Sequence, residues 1–153
     1  MTNIRWGIIG TGSIATAFAH SIKYSDNSSL VAVHGRNKKK LGDFCKKFEV
    51  EAINEANNLF NANHIDAVYI ATPHSTHYDY CLSAIRNKKH ILCEKPLTIN
   101  HLESMVLLNL AKESNVFLME AFMYRVHPQT ANILDSLEVF KGSTEEIIIE
   151  SSF

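Results

Sequence analysis

At 153 residues, with 46% hydrophobic and 20% charged side chains, the chain has the length and balance of one globular domain. A domain of this size hides about two-thirds of the surface its unfolded chain exposes, enough for a real core. The net charge of −1 gives no electrostatic case for nucleic acid or an acidic membrane surface, and the Lys38-Lys39-Lys40 cluster is too local to supply one.

Short apolar runs alternate with helical patterns along nearly the whole length. Residues 4–9 are an apolar run, interrupted only at Arg5, and predict a buried strand; residues 14–22 carry the stripe of a following helix. A second strand is expected at 30–33, then a helix through Leu41, Phe44, Cys45 and Phe48. A weak strand near Ala52 and Ile53 precedes an Asn-rich helix ending near Phe60. Residues 65–71 form a strong strand pattern, followed by a helix through Tyr78, Cys81, Leu82 and Ile85 that Ser75 or Thr76 would cap. A fifth strand is expected at 90–93, a helix capped by Asn100 with Glu103, a sixth strand at 116–119 and a helix over 128–140. This alternation predicts an α/β, Rossmann-like, doubly wound parallel sheet with right-handed crossovers.

The segment 145–150 is a strand candidate with no helix after it. It is expected to open a second, α+β substrate or dimerisation domain from residue 143 onward, with 1–142 as the first domain. An antiparallel edge strand on the same sheet is the alternative. Left unpaired, it would invite self-association or pairing with a partner chain. Cys45, Cys81 and Cys93 are odd in number, with no C-x-x-C pair, and read as reduced thiols of a cytoplasmic protein. No signal peptide pattern opens the chain, and no apolar run approaches the ~20 residues of a membrane-spanning helix.

The chemistry gathers where strands are expected to end. Gly10-Thr11-Gly12-Ser13-Ile14-Ala15 closes a strand and opens a helix. Gly10 permits the tight turn, Gly12 lets backbone approach a pyrophosphate, and Ala15 is small enough for close helix–sheet packing. The free N–H groups and positive end of the helix then face phosphates. A plain strand–helix turn is the alternative. The second strand ends in Val33-His34-Gly35-Arg36-Asn37, without the acid that bonds a ribose 2′-hydroxyl in NAD users. Arg36 can clamp a 2′-phosphate, with Lys40 one helical turn later, so NADP is favoured over NAD. Otherwise the two are a solvated basic face.

Ala71-Thr72-Pro73-His74-Ser75-Thr76-His77 follows the fourth strand and falls beside the nicotinamide ribose. His74 and His77 lack the third ligand a metal site would need, so no metal is expected. Glu94-Lys95-Pro96 follows the fifth strand and brings Lys95 into the same crevice. An ammonium there stabilises a developing alkoxide while hydride moves, making Lys95 the candidate catalytic group. The alternative is a lysine snorkelling beside a turn. Glu94 is placed to orient Lys95 or a cofactor hydroxyl.

With these motifs and Glu120-Ala121-Phe122-Met123-Tyr124-Arg125-Val126-His127-Pro128 in the same order, the chain resembles the glucose–fructose oxidoreductase/inositol dehydrogenase (Gfo/Idh/MocA) family over essentially its whole length. The resemblance implies Lys95 as the catalytic-site lysine, Glu94 as a cofactor contact and Arg125 near the nicotinamide end. Thr11, Ser13, Ile14, Ala71, Thr72, Pro73 and His77 would join Gly10, Gly12, Arg36 and Lys40 in the cofactor site. Gly35 departs from the serine frequent in NADP-type relatives and withdraws a hydroxyl. The family's second domain supplies an acid–histidine pair with no counterpart here. The expected role is the cofactor half of an NADP-dependent oxidoreductase acting on a sugar, cyclic polyol or diol, with little or no activity as this short chain. A stand-alone NAD(P)-binding sensor or scaffold is the competing reading.

Overall fold

The apolar runs become the interior of a sheet. In the computed structural model, which describes residues 3–140, six strands lie in the order β3-β2-β1-β4-β5-β6 among the described residues. They are β1 (Ile4–Ile9), β2 (Ser28–His34), β3 (Glu51–Ile53), β4 (Ala67–Ile70), β5 (His90–Cys93) and β6 (Leu118–Glu120). Every pairing is parallel, so each connection must cross over a face of the sheet. The expected α/β, Rossmann-like, doubly wound sheet is what forms.

Five helices make the crossovers: α1 (Ser13–Ser21), α2 (Lys38–Phe48), α3 (Ala56–Asn61), α4 (His77–Arg86) and α5 (His101–Glu113). Side chains alternate across a strand, so neighbours in sequence serve opposite faces. Ile8, Val33 and Tyr69 pack with Ala15, Ala19, Leu41 and Phe44 of α1 and α2. Ile9, Ala32, Val68, Ile70 and Cys93 pack with Leu59, Phe60, Cys81, Ile85 and Leu107 of α3, α4 and α5. Each fully buried Ile, Leu or Phe contributes roughly 1.5–3 kcal/mol, so these two cores hold the strand ends against the mobility of their loops.

The chain divides into two compact units, residues 1–121 and 122–153. Within the second, a single 3-10 turn, Met123–Val126, leads into α6 (Pro128–Phe140). The strand expected at 145–150 lies outside the described residues, as does the proposed boundary near 142.

Two local expectations are corrected. The sixth strand begins at Leu118 rather than Val116, because Asn115 turns left-handed (φ 55°) after α5. The Val116 N–H is then still closing that helix on the Ala111 carbonyl at 2.8 Å. Neither Ser75 nor Thr76 caps α4 with its side chain. Thr76 Oγ1 turns back instead to Thr72 Oγ1 (2.9 Å) and the Pro73 carbonyl (2.8 Å). Asn100 does cap α5, its side chain accepting from the Glu103 N–H at 2.9 Å.

Candidate functional site

The strand order reverses at β1, which lies between β2 and β4, and crossovers leave in both directions from there. Such a reversal opens a crevice beyond the carboxyl ends of the strands. Gly10 forms its floor. Its N–H donates to the His34 carbonyl at 2.8 Å, while the Ala71 N–H donates to Ile9 at 2.8 Å, drawing three strand ends together. Gly10 has φ 119°, and a Cβ on it would run into the Ala71 carbonyl, so glycine is required twice over.

Gly12 serves differently. A Cβ there would meet nothing within 4 Å, so the space over it is open. It is also the N-cap of α1 and offers no side-chain cap, which leaves the first N–H groups of the helix, Ser13 and Ile14 among them, facing outward. An uncapped helix start beneath an open glycine turn fits a pyrophosphate. The crevice, about 650 Å³, is lined by Gly10, Thr11, Gly12, Arg36 and Lys40, and on the β4 side by Ala71, Thr72 and Pro73. Asn37, which the motif reading passed over, also lines it and caps α2, accepting from the Lys40 N–H at 3.0 Å. That cap fixes the turn that brings Arg36 and Lys40 to one wall. Gly35 packs on Thr11; a Cβ on it would fall 2.7 Å from Thr11 Cγ2.

Lys95 stands beyond these lining residues, on the turn that follows β5, the strand next to β4. The turn is braced at almost every residue, and the Lys95–Pro96 peptide is cis. Tyr69 of β4 donates its hydroxyl to Glu94 Oε1 at 2.5 Å, and the Lys95 N–H reaches Glu94 Oε2 at 3.3 Å. The Glu94 N–H donates to the Ile70 carbonyl at 2.9 Å. Glu120 of β6 accepts the Leu97 N–H at 2.8 Å. Burial, then the Glu94 carboxylate, pushes the Tyr69 phenol up, so it stays a donor at any ordinary pH. Lys95 itself is exposed, and its ammonium has no partner among the described residues.

His77 was expected among the cofactor contacts. Its ring is instead 1% exposed, with Nδ1 2.8 Å from the Pro96 carbonyl and Nε2 2.8 Å from the Thr72 carbonyl. Both nitrogens are thus engaged behind the crevice. Arg125 belongs to the second unit, where it is exposed on the Met123–Val126 turn. Tyr69 was not singled out in the sequence, and Glu120 stood only as the first residue of the 120–128 motif, with no role given to it. The one available signal was a tyrosine inside an apolar parallel strand, whose hydroxyl must find a partner. Among the described residues no group of three or more His, Cys, Asp or Glu could hold a metal, and no helix is long and apolar enough to cross a membrane.

A parallel sheet reversing at β1, a glycine turn and an uncapped helix define the class: a dinucleotide-binding Rossmann domain. The comparisons with known proteins carry this further. Residues 4–122 match the Gfo/Idh/MocA model, described as an oxidoreductase family with an NAD-binding Rossmann fold, and the chain belongs to that family. It is 36% identical to Oxidoreductase P35 of Formosa agariphila, over 99% of this chain and 49% of that protein. It is 34% identical to scyllo-inositol 2-dehydrogenase (NADP(+)) IolU of Bacillus subtilis, over 77% of this chain and 36% of that one. Among solved structures, KijD10, a 3-ketoreductase from Actinomadura kijaniata in complex with NADP and TDP-benzene, superposes with a TM-score of 0.83 at 30% identity, over 90% of this chain and 43% of that one. The chain therefore spans about half, or less, of the length of these relatives.

Proposed function

We propose that this chain is the cofactor-binding part of an NADP-dependent oxidoreductase whose substrate is a sugar, cyclic polyol or related diol. The observation that carries this reading is the wall of the crevice beyond β2, where Arg36 and Lys40 stand and no carboxylate is among the lining residues. A ribose 2′-hydroxyl asks for an acid at that place; a 2′-phosphate asks for paired cationic donors. A relative named as NADP-linked and a structural neighbour holding NADP agree with it.

Gly10, Gly12 and the first N–H groups of α1 would seat the pyrophosphate, and Ala71, Thr72 and Pro73 would bound the ribose beyond it. When bound, the nicotinamide gives or takes hydride at its C4. Lys95 would hold its ammonium near the substrate oxygen and stabilise the negative charge that grows there as the hydroxyl proton leaves. Glu94 keeps its carboxylate on Tyr69 and on the Lys95 N–H, so it orients the turn more than it meets a ligand. The lining of the crevice gathers around the nucleotide's phosphates and riboses, and Lys95, the group proposed to meet the substrate, is not part of it. We therefore expect binding with weak turnover, since orientation of the substrate supplies ~7–11 kcal/mol of a typical barrier reduction.

The test is a fluorescence titration of the chain with NADPH and NADH, repeated for Arg36→Ala. Hydrogen bonds between charged groups are worth about 1.5–3 kcal/mol, so NADPH should bind roughly 10–100-fold more weakly to the variant while NADH is unaffected. Equal affinities that ignore the substitution would remove the case for a 2′-phosphate.

A further inference from the structure

A buried histidine usually satisfies one nitrogen as donor and the other as acceptor, because the neutral ring carries one proton. At His77 a backbone carbonyl stands at each ring nitrogen. The Thr72 carbonyl lies 2.8 Å from Nε2 and the Pro96 carbonyl 2.8 Å from Nδ1, and a carbonyl oxygen can accept but cannot donate. In either neutral tautomer one nitrogen lone pair would face an oxygen lone pair at hydrogen-bond distance, inside a site 1% exposed to solvent. Only the imidazolium satisfies both contacts.

The two carbonyls belong to different loops. Thr72 lines the crevice after β4; Pro96 immediately follows Lys95 after β5. We propose that His77 is a positioning residue that acts as an imidazolium clamp, tying the Thr72-Pro73 wall of the crevice to the Lys95-Pro96 turn and so coupling cofactor affinity to the placement of Lys95. The part about affinity rests on the proposed cofactor role; the clamp itself does not.

The charge balance around the ring supports this. Burial works against the charged form and is the largest influence, and the ring also sits at the positive end of α4, where a cation is disfavoured. The Cys93 sulfur on β5 and the carbonyls of Pro96 and Thr72 outweigh burial, and the pKa is pushed up to about 9. The titratable groups facing the ring are the Cys93 thiol and, bonded to it, Cys81 on α4 itself. The Cys81 contact and burial push the Cys93 thiol up, so at neutral pH it brings no negative charge to the ring, and the two carbonyls are what hold the proton there. Losing the proton turns one of the two bonds into a repulsion and frees the turn from the wall.

Heteronuclear NMR of the histidine ring nitrogens in the full chain decides the point. At neutral pH one histidine should show both nitrogens protonated, with its signal absent from His77→Gln, and it should titrate near 9. Over the same interval, amide hydrogen exchange at Leu97 should quicken by more than the intrinsic base-catalysed rise, and by no such excess in His77→Gln. NADPH affinity should fall by roughly tenfold, the worth of one charged hydrogen bond, whereas His77→Gln should bind weakly at every pH with no such step. A neutral His77 at pH 7, or a variant that binds NADPH as the parent does, overturns the proposal. If His77→Gln fails to fold, the ring signal and exchange profile of the parent still decide. A doubly protonated His77 with the expected exchange profile but no NADPH binding at any pH would sink the cofactor reading and leave the clamp standing.

Discussion

The two ends of the candidate site are built on opposite principles. At the ribose end, the groups that would meet a ligand are long exposed side chains, Arg36 and Lys40, on a scaffold of backbone and glycine. At the Lys95 end, one exposed lysine is carried on a turn whose neighbours are held by Tyr69, His77 and Glu120 from three other elements. A flexible cation can follow a phosphate, since phosphate binding tolerates small errors of placement. A group that must meet a reacting oxygen cannot, because a displacement of ~1 Å there can cost a factor of about a hundred in rate. The difference in bracing is what the two proposed tasks would require.

The comparison breaks first at Gly10. Gly10→Ala places a Cβ against the Ala71 carbonyl, backbone on backbone, at a φ of 119°. Neither partner can yield without separating β1 from β4. We expect a loss on the order of 3 kcal/mol or more in denaturant stability, together with loss of NADPH binding. At Gly12, where a Cβ would meet open space, the alanine variant should keep its stability and lose affinity alone.

Next in size is the brace. Tyr69→Phe keeps the ring that stacks on Phe18 at 4.2 Å and deletes the hydroxyl bound to Glu94. The half-buried carboxylate keeps only the Lys95 N–H at 3.3 Å, and losing the phenol bond to a charged group costs about 1.5–3 kcal/mol. Lys95→Met, which removes an exposed charge with no partner, should leave the unfolding midpoint within the usual ±0.5 kcal/mol of a surface change. Equal stability losses in the two variants would show that the turn is not braced as the structure indicates.

How much of this was legible is decided by what kind of partner each residue has. The glycine turn, the parallel sheet and the placement of Arg36 are local matters, carried by spacing and by residues a few positions apart. His77 was legible as part of a motif, but its hold on Pro96 was not, because that partner is 19 residues away and is a backbone carbonyl, which no side-chain pattern announces. Tyr69 and Glu94 are 25 residues apart, Glu120 and Leu97 23. The start of β6 was lost to a left-handed Asn115, a single torsion that moves the strand by two residues.

Alkali and acid separate the ends of the sheet. His77 has a folded-state pKa raised to about 9 from 6.5, so its contribution is fully present below the lower value and is lost as pH rises through the upper. Asp66, tied to Arg5 near the amino ends of β1 and β4, is the opposite case. The hydrogen bond from Arg5 lowers it to about 2 from 3.8, so its contribution is present above the upper value and lost as pH falls. That pair is more than a third exposed, so solvent screens it and the acid effect should be slight. A denaturant midpoint that falls between about pH 6.5 and 9 in the parent, but not in His77→Gln, would assign the alkaline loss to the site.

The smallest expected effect sharpens the ribose end. Gly35→Ser would restore a hydroxyl beside Arg36, but its Cβ would arrive 2.7 Å from Thr11 Cγ2. Thr11 is short and only half-buried, so the cost should be about 1 kcal/mol, at the low end for overpacking. Thr11→Ala should relieve it, giving a coupling of at least ~0.5 kcal/mol in a double-mutant cycle. If the two substitutions are additive, Thr11 and position 35 do not compete for one space. If they couple, the threonine occupies room that a serine at 35 would claim, and the double variant should hold NADPH at least as tightly as the parent.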